Sequence, residues 1–264
     1  MKLKVNVILC IFFFPLLLFA NNPIRVAFAN EDFGNWHFCG SESSHKAKCA
    51  KGDTLKGFNP ELAKELFKRL GVNIEFVLAD WVDSSFFKGL DDDNYDVIIS
   101  NVAKKEDRKV YGIFSKEPYE PLNEIGDYFF YTMKSNEVSL KSIGAQKDSI
   151  TLSFLQKLFL KSAIKEYAST EELVNSLIFG QTSAIFGSFS LMRSSICSNP
   201  NIIKMTKLPI SLDEEKIDDR TYVLTAKRHK NLANQINIEI RKMHEDGTIQ
   251  ILFDRWLKKT PSCD

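Results

Sequence analysis

The chain has 264 residues, 44% hydrophobic and 26% charged, which is enough apolar content for one large domain or two modest lobes and too balanced a composition for disorder. Lys and Arg number 35 against 34 Asp and Glu, a net charge of +1. Neither a bulk field nor a basic stripe points to nucleic acid, so any partner has to be read from a site.

Lys2 and Lys4 open the chain, and an apolar run over residues 5–19 follows, broken only by Asn6, Cys10 and Pro15, before the polar Asn21-Asn22-Pro23. This is the layout of a secretory signal peptide over residues 1–20, although Leu18 is bulky where a cleavage site favours a small residue. A retained anchor is the alternative, but a spanning helix needs ~20 apolar residues, and this run is shorter and has no basic stop. The mature chain is therefore expected to be soluble and exported. Removing the leader leaves Cys39, Cys49, Cys197 and Cys263, an even number in an oxidising setting. The ten-residue spacing of Cys39 and Cys49 favours a local staple, which leaves Cys197 for Cys263. A metal site built from His37, Cys39, His45 and Cys49 is the rival reading, and the Cys-x9-Cys spacing is not one that zinc prefers.

Residues 24–29 read as a first strand and residues 31–53, with Gly34, Gly40 and Gly52, as a long loop. Residues 60–70 (PELAKELFKRL) are an amphipathic helix, with Asn59 as the candidate N-cap, Pro60 in the first turn and Gly71 at the stop. Strands follow over residues 72–78 and 95–100, around a short helix at 86–90 and a turn at 91–94. The second half repeats the style. Strands are predicted at 142–146, 183–186 and 220–226, and helices at 153–160, 171–179, 189–197, 232–243 and 248–257. Alternating strands and helices predict parallel pairing in two successive α/β units. Ligands in such sheets sit at the carboxyl ends of the strands, and a cleft between lobes is a preferred pocket.

Four segments then line up with one family. Gly57-Phe58-Asn59-Pro60-Glu61-Leu62-Ala63, Asp96-Val97-Ile98-Ile99 with Glu106-Asp107-Arg108, Phe114-Ser115-Lys116-Glu117-Pro118-Tyr119, and Asp246-Gly247-Thr248 with Phe253-Asp254-Arg255-Trp256 occur in order. They resemble the signatures of bacterial extracellular solute-binding protein family 3, the periplasmic amino-acid-binding proteins of ABC transporters. The resemblance implies an α/β, two-lobed periplasmic-binding-protein fold of type II, each lobe a mixed, mostly parallel sheet flanked by helices. It places lobe 1 in residues 23–123 plus 217–264 and lobe 2 in residues 124–216, with hinge crossings near 123–128 and 217–222. It implies a monomeric periplasmic protein that passes a small amino acid or carboxylate to a membrane permease, with no cofactor, metal or nucleic acid.

The same resemblance assigns the candidate site. Arg108 would clamp a ligand carboxylate with its planar fork of donors; on its own, the run Glu106-Asp107-Arg108-Lys109 reads as a solvated charged turn. Backbone N–H groups of residues 101–105 would meet the same carboxylate, with Asn101 compensating for Ala103, where the family often has a hydroxyl. Trp81 would be an aromatic floor and Phe33 or Trp36 the opposing wall, core packing being the plainer role. Ser149 would face the carboxylate or cap a helix, and Asp148 replaces a glycine in that loop. Gly187 stands where the family pairs an acid with the ligand ammonium, so either Glu31 or Asp32 substitutes or the ligand is not an ordinary α-amino acid. Two further readings stay open: a dehydratase-like enzyme on the same scaffold, against which Gly187 and Ser188 count, and a sensor or secreted protein that no longer serves transport. Neither a nucleophile triad nor a phosphate loop is visible, and His37, His45, His229 and His244 are scattered.

Overall fold

The computed structural model describes residues 22–41, 44–46, 48–81, 85–121, 128–134, 139–188, 192, 195–204 and 220–258. The expected signal peptide, most of the 123–128 crossing, half of the 217–222 crossing, most of the 189–197 helix and Cys263 lie outside the described residues.

The described chain forms two five-stranded sheets and a small three-stranded one. The first sheet runs in the order β5 (Ile74–Ala79), β1 (Ile24–Ala29), β6 (Val97–Ile98), β13 (Leu224–Ala226), β7 (Gly112–Phe114). The second runs β10 (Ile164–Tyr167), β9 (Ile143–Gln146), β11 (Ala184–Ser188), β8 (Tyr128–Met133), β12 (Ile202–Lys204). Each is mixed in the same way. β1 pairs in parallel with β5 and β6, while β13 lies antiparallel between β6 and β7. Likewise β9 pairs in parallel with β10 and β11, while β8 lies antiparallel between β11 and β12. The first sheet is discontinuous in sequence, because β13, which completes it, follows every strand of the second sheet in chain order.

Helix α1 (Phe58–Arg69) buries Leu62, Ala63, Leu66 and Phe67 against the first sheet, the stripe its three-and-four periodicity predicts. It begins two residues earlier than the sequence indicates. Gly57, at φ 115°, is the N-cap, and a Cβ there would meet the Asn35 and Trp36 carbonyl oxygens at 2.8 Å. Asn59 is thus not the cap; it lies buried in the first turn, free to bond elsewhere. The short α2 (Ser85–Lys88) buries Phe86 and Phe87. Residues 31–53 are not a featureless loop. They contain β2 (Phe38–Ser41) and β3 (Ser44–Lys46), which join β4 (Leu55–Lys56) in the small sheet, held by a Cys39–Cys49 disulfide with 5.4 Å between Cα atoms. That pair excludes a metal site using both cysteines. Cys197 is disulfide-bonded too.

In the second unit α3 (Ile150–Leu158) and α4 (Thr170–Ile178) are capped by the Ser149 and Ser169 hydroxyls, which accept from Leu152 N and Glu172 N. α5 (Lys230–Glu245) and α6 (Thr248–Phe253) then pack on the first sheet, turning at Gly247 with φ 78°. A buried carboxylate ties together the ends of the first sheet's three central strands. Asp96 accepts from the Arg25 backbone N–H and guanidinium, from Arg228 and from His229. Burial alone would raise its carboxyl, but these donors hold it well below the usual range.

Candidate functional site

One cavity lies where the two large sheets face each other, at the carboxyl ends of β1, β5, β6, β9 and β11. The first unit contributes Phe33, Trp36, Trp81, Asn101, Ala103 and Arg108, and the second Gln146, Ser149, Ile150, Thr151, Thr170, Leu173, Gly187, Ser188 and Met192; Glu120, Tyr128, Phe186 and Thr221 complete the lining. The eight residues picked out for ligand contact, from loops as far apart as Phe33 and Gly187, therefore converge on one space.

Arg108 is 4% exposed while its neighbours Glu106, Asp107 and Lys109 face solvent, so the run is not a uniformly solvated turn. Its Nη1 donates to Ala103 O at 2.9 Å and its Nη2 to Asp148 O at 2.6 Å, across the cleft. The guanidinium carbon lies 4.7 Å from the Phe87 ring centre and 5.5 Å from that of Trp81. Burial pushes its pKa down to about 10, which leaves it charged at neutral pH. A guanidinium has five N–H donors, and two go to carbonyls. Among the described residues, no carboxylate pairs with it.

The Asp148 that receives this bond has φ 57°, the left-handed conformation that glycine adopts most readily. Asp tolerates it, so the loop turns as a glycine loop would and presents its carbonyl to Arg108. Ser149 lines the cavity while its hydroxyl donates to Gln146 O at 2.5 Å and accepts from Leu152 N at 3.1 Å. The first turn of α3 thus points its partly positive end at the cavity.

In the 101–105 loop one main-chain group differs from expectation: the Asn101 N–H donates to the Tyr119 hydroxyl at 2.8 Å and is taken up within the first unit, while the bridge of Ala103 to Thr221 is made by Tyr222 N–H donating to Val102 O. The reason is local: Asn101 has φ 54°, which turns its N–H back towards Tyr119. The aromatic residues also differ from two facing plates. Phe33 and Trp81 meet edge to face, with centroids 6.1 Å apart, and Trp36 packs on Phe58 at 5.4 Å.

Of the two acids considered for the missing carboxylate, Glu31 faces the cleft and Asp32 does not. Glu31, 6% exposed, accepts from Gln146 Nε2 at 3.2 Å and from Thr170 N at 3.4 Å, both in the second unit. Burial raises its pKa to about 7, against the pull of those donors and of Lys48. Asp32 is held in the first unit by Gly34 N and His45 Nδ1. At Gly187, an added Cβ would meet Met192 Cε at 2.8 Å, so methionine fills the space an acid would need. Glu120, absent from the sequence reading, is a buried acid in the lining; its Oε1 accepts from Thr221 N at 2.7 Å. No local pattern marks it, because its partner is 101 residues away.

Two α/β units facing each other across a largely apolar cavity, with a few polar groups and a buried cation in its wall, define a solute-binding clamp. The sequence matches the bacterial extracellular solute-binding proteins, family 3, over residues 41–259, and the chain belongs to that family. It is similar to the arginine-binding periplasmic protein of Mannheimia haemolytica, 26% identical over 215 residues, covering 78% of this chain and 84% of that one. The structure resembles a periplasmic His/Glu/Gln/Arg/opine family-binding protein from Silicibacter pomeroyi in complex with lysine, with a TM-score of 0.71 at 21% identity, covering 90% and 99% of the two chains. It also resembles an ancestral amino-acid-binding protein that is a precursor of cyclohexadienyl dehydratase, with a TM-score of 0.67 at 20% identity, covering 89% and 94%. These likenesses establish the two-lobed type II fold.

Proposed function

We propose that this chain is a periplasmic binding protein that captures a small carboxylate-bearing solute, an amino acid or close relative, for the permease of an ABC uptake transporter. It acts as an exported monomer with no chemistry of its own. One observation carries the reading: Arg108 is a buried, charged guanidinium at the cavity wall with no described carboxylate partner and with donors to spare. A buried charge is costly unless paired, and a carboxylate entering between the lobes pairs it with matching planar geometry. The positive end of α3 supports the same polarity. The similarity to an arginine-binding relative supports an amino acid, with Glu31 and Glu120 as the acids nearest the cavity for its ammonium.

The test is a thermal-shift panel on the mature protein with amino acids, the matching amines lacking a carboxylate, and the matching acids lacking an amine. A ligand at ~100 times its dissociation constant adds ~2.7 kcal/mol of stability. Stabilisation confined to carboxylate-bearing compounds is expected; stabilisation by amines or sugars alone would overturn the reading. A second reading, an enzyme on this scaffold, is favoured by Glu31, a buried carboxyl near neutral pKa at the cleft. Product formation from a cyclic, prephenate-like acid would establish it.

A further inference from the structure

Behind the cavity wall runs a line of buried polar groups that ligand capture does not by itself require. His37 is fully buried, and its Nε2 meets Ala29 O at 3.1 Å. Its other nitrogen, Nδ1, is 3.1 Å from Asn59 Nδ2, and that same amide nitrogen is 2.7 Å from Asn101 Oδ1. Asn101 lines the cavity. Ring contacts from Phe28 and Phe33 hold the imidazole in place.

The polarity of this line is decided at one end. A backbone carbonyl only accepts, so Nε2 has to carry the proton that bonds Ala29. In a neutral imidazole, Nδ1 is then an acceptor. Asn59 has to turn its NH2 towards it, and the second hydrogen of that NH2 goes to Asn101 Oδ1. With Oδ1 occupied, Asn101 is left to present Nδ2 and its two hydrogens. We infer that His37 and Asn59 are positioning residues that fix the Asn101 amide as a hydrogen-bond donor into the cavity, making Asn101 a specificity-determining contact for a ligand oxygen.

Two further observations agree with this polarity. Burial pushes His37 down to about 4, so the ring is neutral at neutral pH. Asn59 Oδ1 is buried without a described partner. Turning the Asn59 amide over would place that oxygen against the bare Nδ1, acceptor on acceptor; exchanging the imidazole proton would only move the conflict to Ala29 O. The orphaned oxygen is the cost of a side chain held as a double donor. An aspartate at 59 would reverse the line. It cannot donate to Nδ1, and it accepts from Asn101 Nδ2, which turns Asn101 Oδ1 towards the cavity, where it repels a ligand oxygen.

This inference rests on the carboxylate reading of the cavity, and its test separates the two. In 15N-labelled wild-type protein at neutral pH, long-range 1H–15N correlation should show His37 as the Nε2–H tautomer, with a coupling across the hydrogen bond from the Asn59 amide to Nδ1. The Asn101 amide protons should exchange with water faster than those of Asn59. An Nδ1–H tautomer, an imidazolium, or a protected Asn101 amide beside an exchanging Asn59 amide overturns the inference, whatever binds. With L-arginine as probe, Asn59→Asp should weaken binding at least tenfold and move the His37 nitrogen shifts together. A melting temperature that falls while the His37 shifts and the affinity stay put would show a merely structural residue, and also overturns it. If no carboxylate binds the wild type, the carboxylate reading falls, and the tautomer and exchange data alone decide the relay.

Discussion

Arg108 Nη2 donates to the Asp148 carbonyl oxygen at 2.6 Å, so the charge at the cavity wall also joins the two facing units. The second such tie is Glu31 to Gln146 and Thr170. The two differ in one respect that matters for function: the arginine stays charged at any physiological pH, whereas burial brings the glutamate into the physiological range.

Arg108→Ala is expected to abolish or strongly weaken ligand binding. Removing one partner of a buried charged contact costs ~2–5 kcal/mol or more, which is ~30-fold to several-thousand-fold in affinity. Arg108→Lys should rescue only in part, because a point charge cannot reach Ala103 O, Asp148 O and a ligand with one fork. Calorimetric titration with the best compound of the thermal panel measures both variants. Unchanged affinity in Arg108→Ala would remove the basis of the proposed function.

The closed cleft should loosen as pH rises. The Glu31 carboxyl is raised from an ordinary 4.5 to about 7, so between these values the closed form holds more protons than a form with Glu31 in water. Its favourable contribution is full below pH 4.5 and is lost as pH rises through 7, with an upper limit of ~3 kcal/mol. Glu31→Gln should flatten that slope. Unfolding of ligand-free wild type and variant from pH 4.5 to 8 checks it, and equal slopes would remove Glu31 from the closing contacts.

Asp96 should give the opposite sign. Its carboxyl lies below the ordinary 3.8, so its contribution is present above that value and lost as pH falls below it. Asp96→Asn leaves Arg25, Arg228 and His229 without their shared carboxylate charge and with one acceptor oxygen in place of two. Removing one partner of a fully buried pair costs ~3–5 kcal/mol; with Arg25 and Arg228 about one-third exposed, ~2 kcal/mol is expected. Denaturant titration measures it, and binding to the folded variant should be unchanged.

Reducing Cys39–Cys49, or replacing both by serine, should cost ~2–3 kcal/mol, the range for closing a short loop. Non-reducing peptide mapping should show the pair directly and settle whether Cys197 joins Cys263. Because β2 and β3 lie within the stapled segment and Asp32 is tied to it through His45, reduction should also weaken ligand binding. Calorimetry under reducing conditions checks that.

Local chemistry determined much of this protein before any coordinate. The apolar stripe of α1, the Ser149 cap of α3, the Cys39–Cys49 staple and the alternation of strand and helix are decided by residues within about ten positions of one another. Eight of the residues lining the cavity were legible through ordered family signatures, because loops at strand ends keep their place in the chain even when their residues change. Tertiary structure alone decided what those residues face. Only the return of β13 completes the first sheet, and only closure across the cleft brings Glu31 to Thr170, 139 residues away, and makes it, not Asp32, the buried acid. Asn59 shows the division most clearly. Its position in sequence reads as a helix cap, but Gly57 takes the cap, and burial between His37 and Asn101 turns the same amide into a double donor. Hydrogen-bond polarity belongs to partners distant in sequence, so no local pattern can carry it.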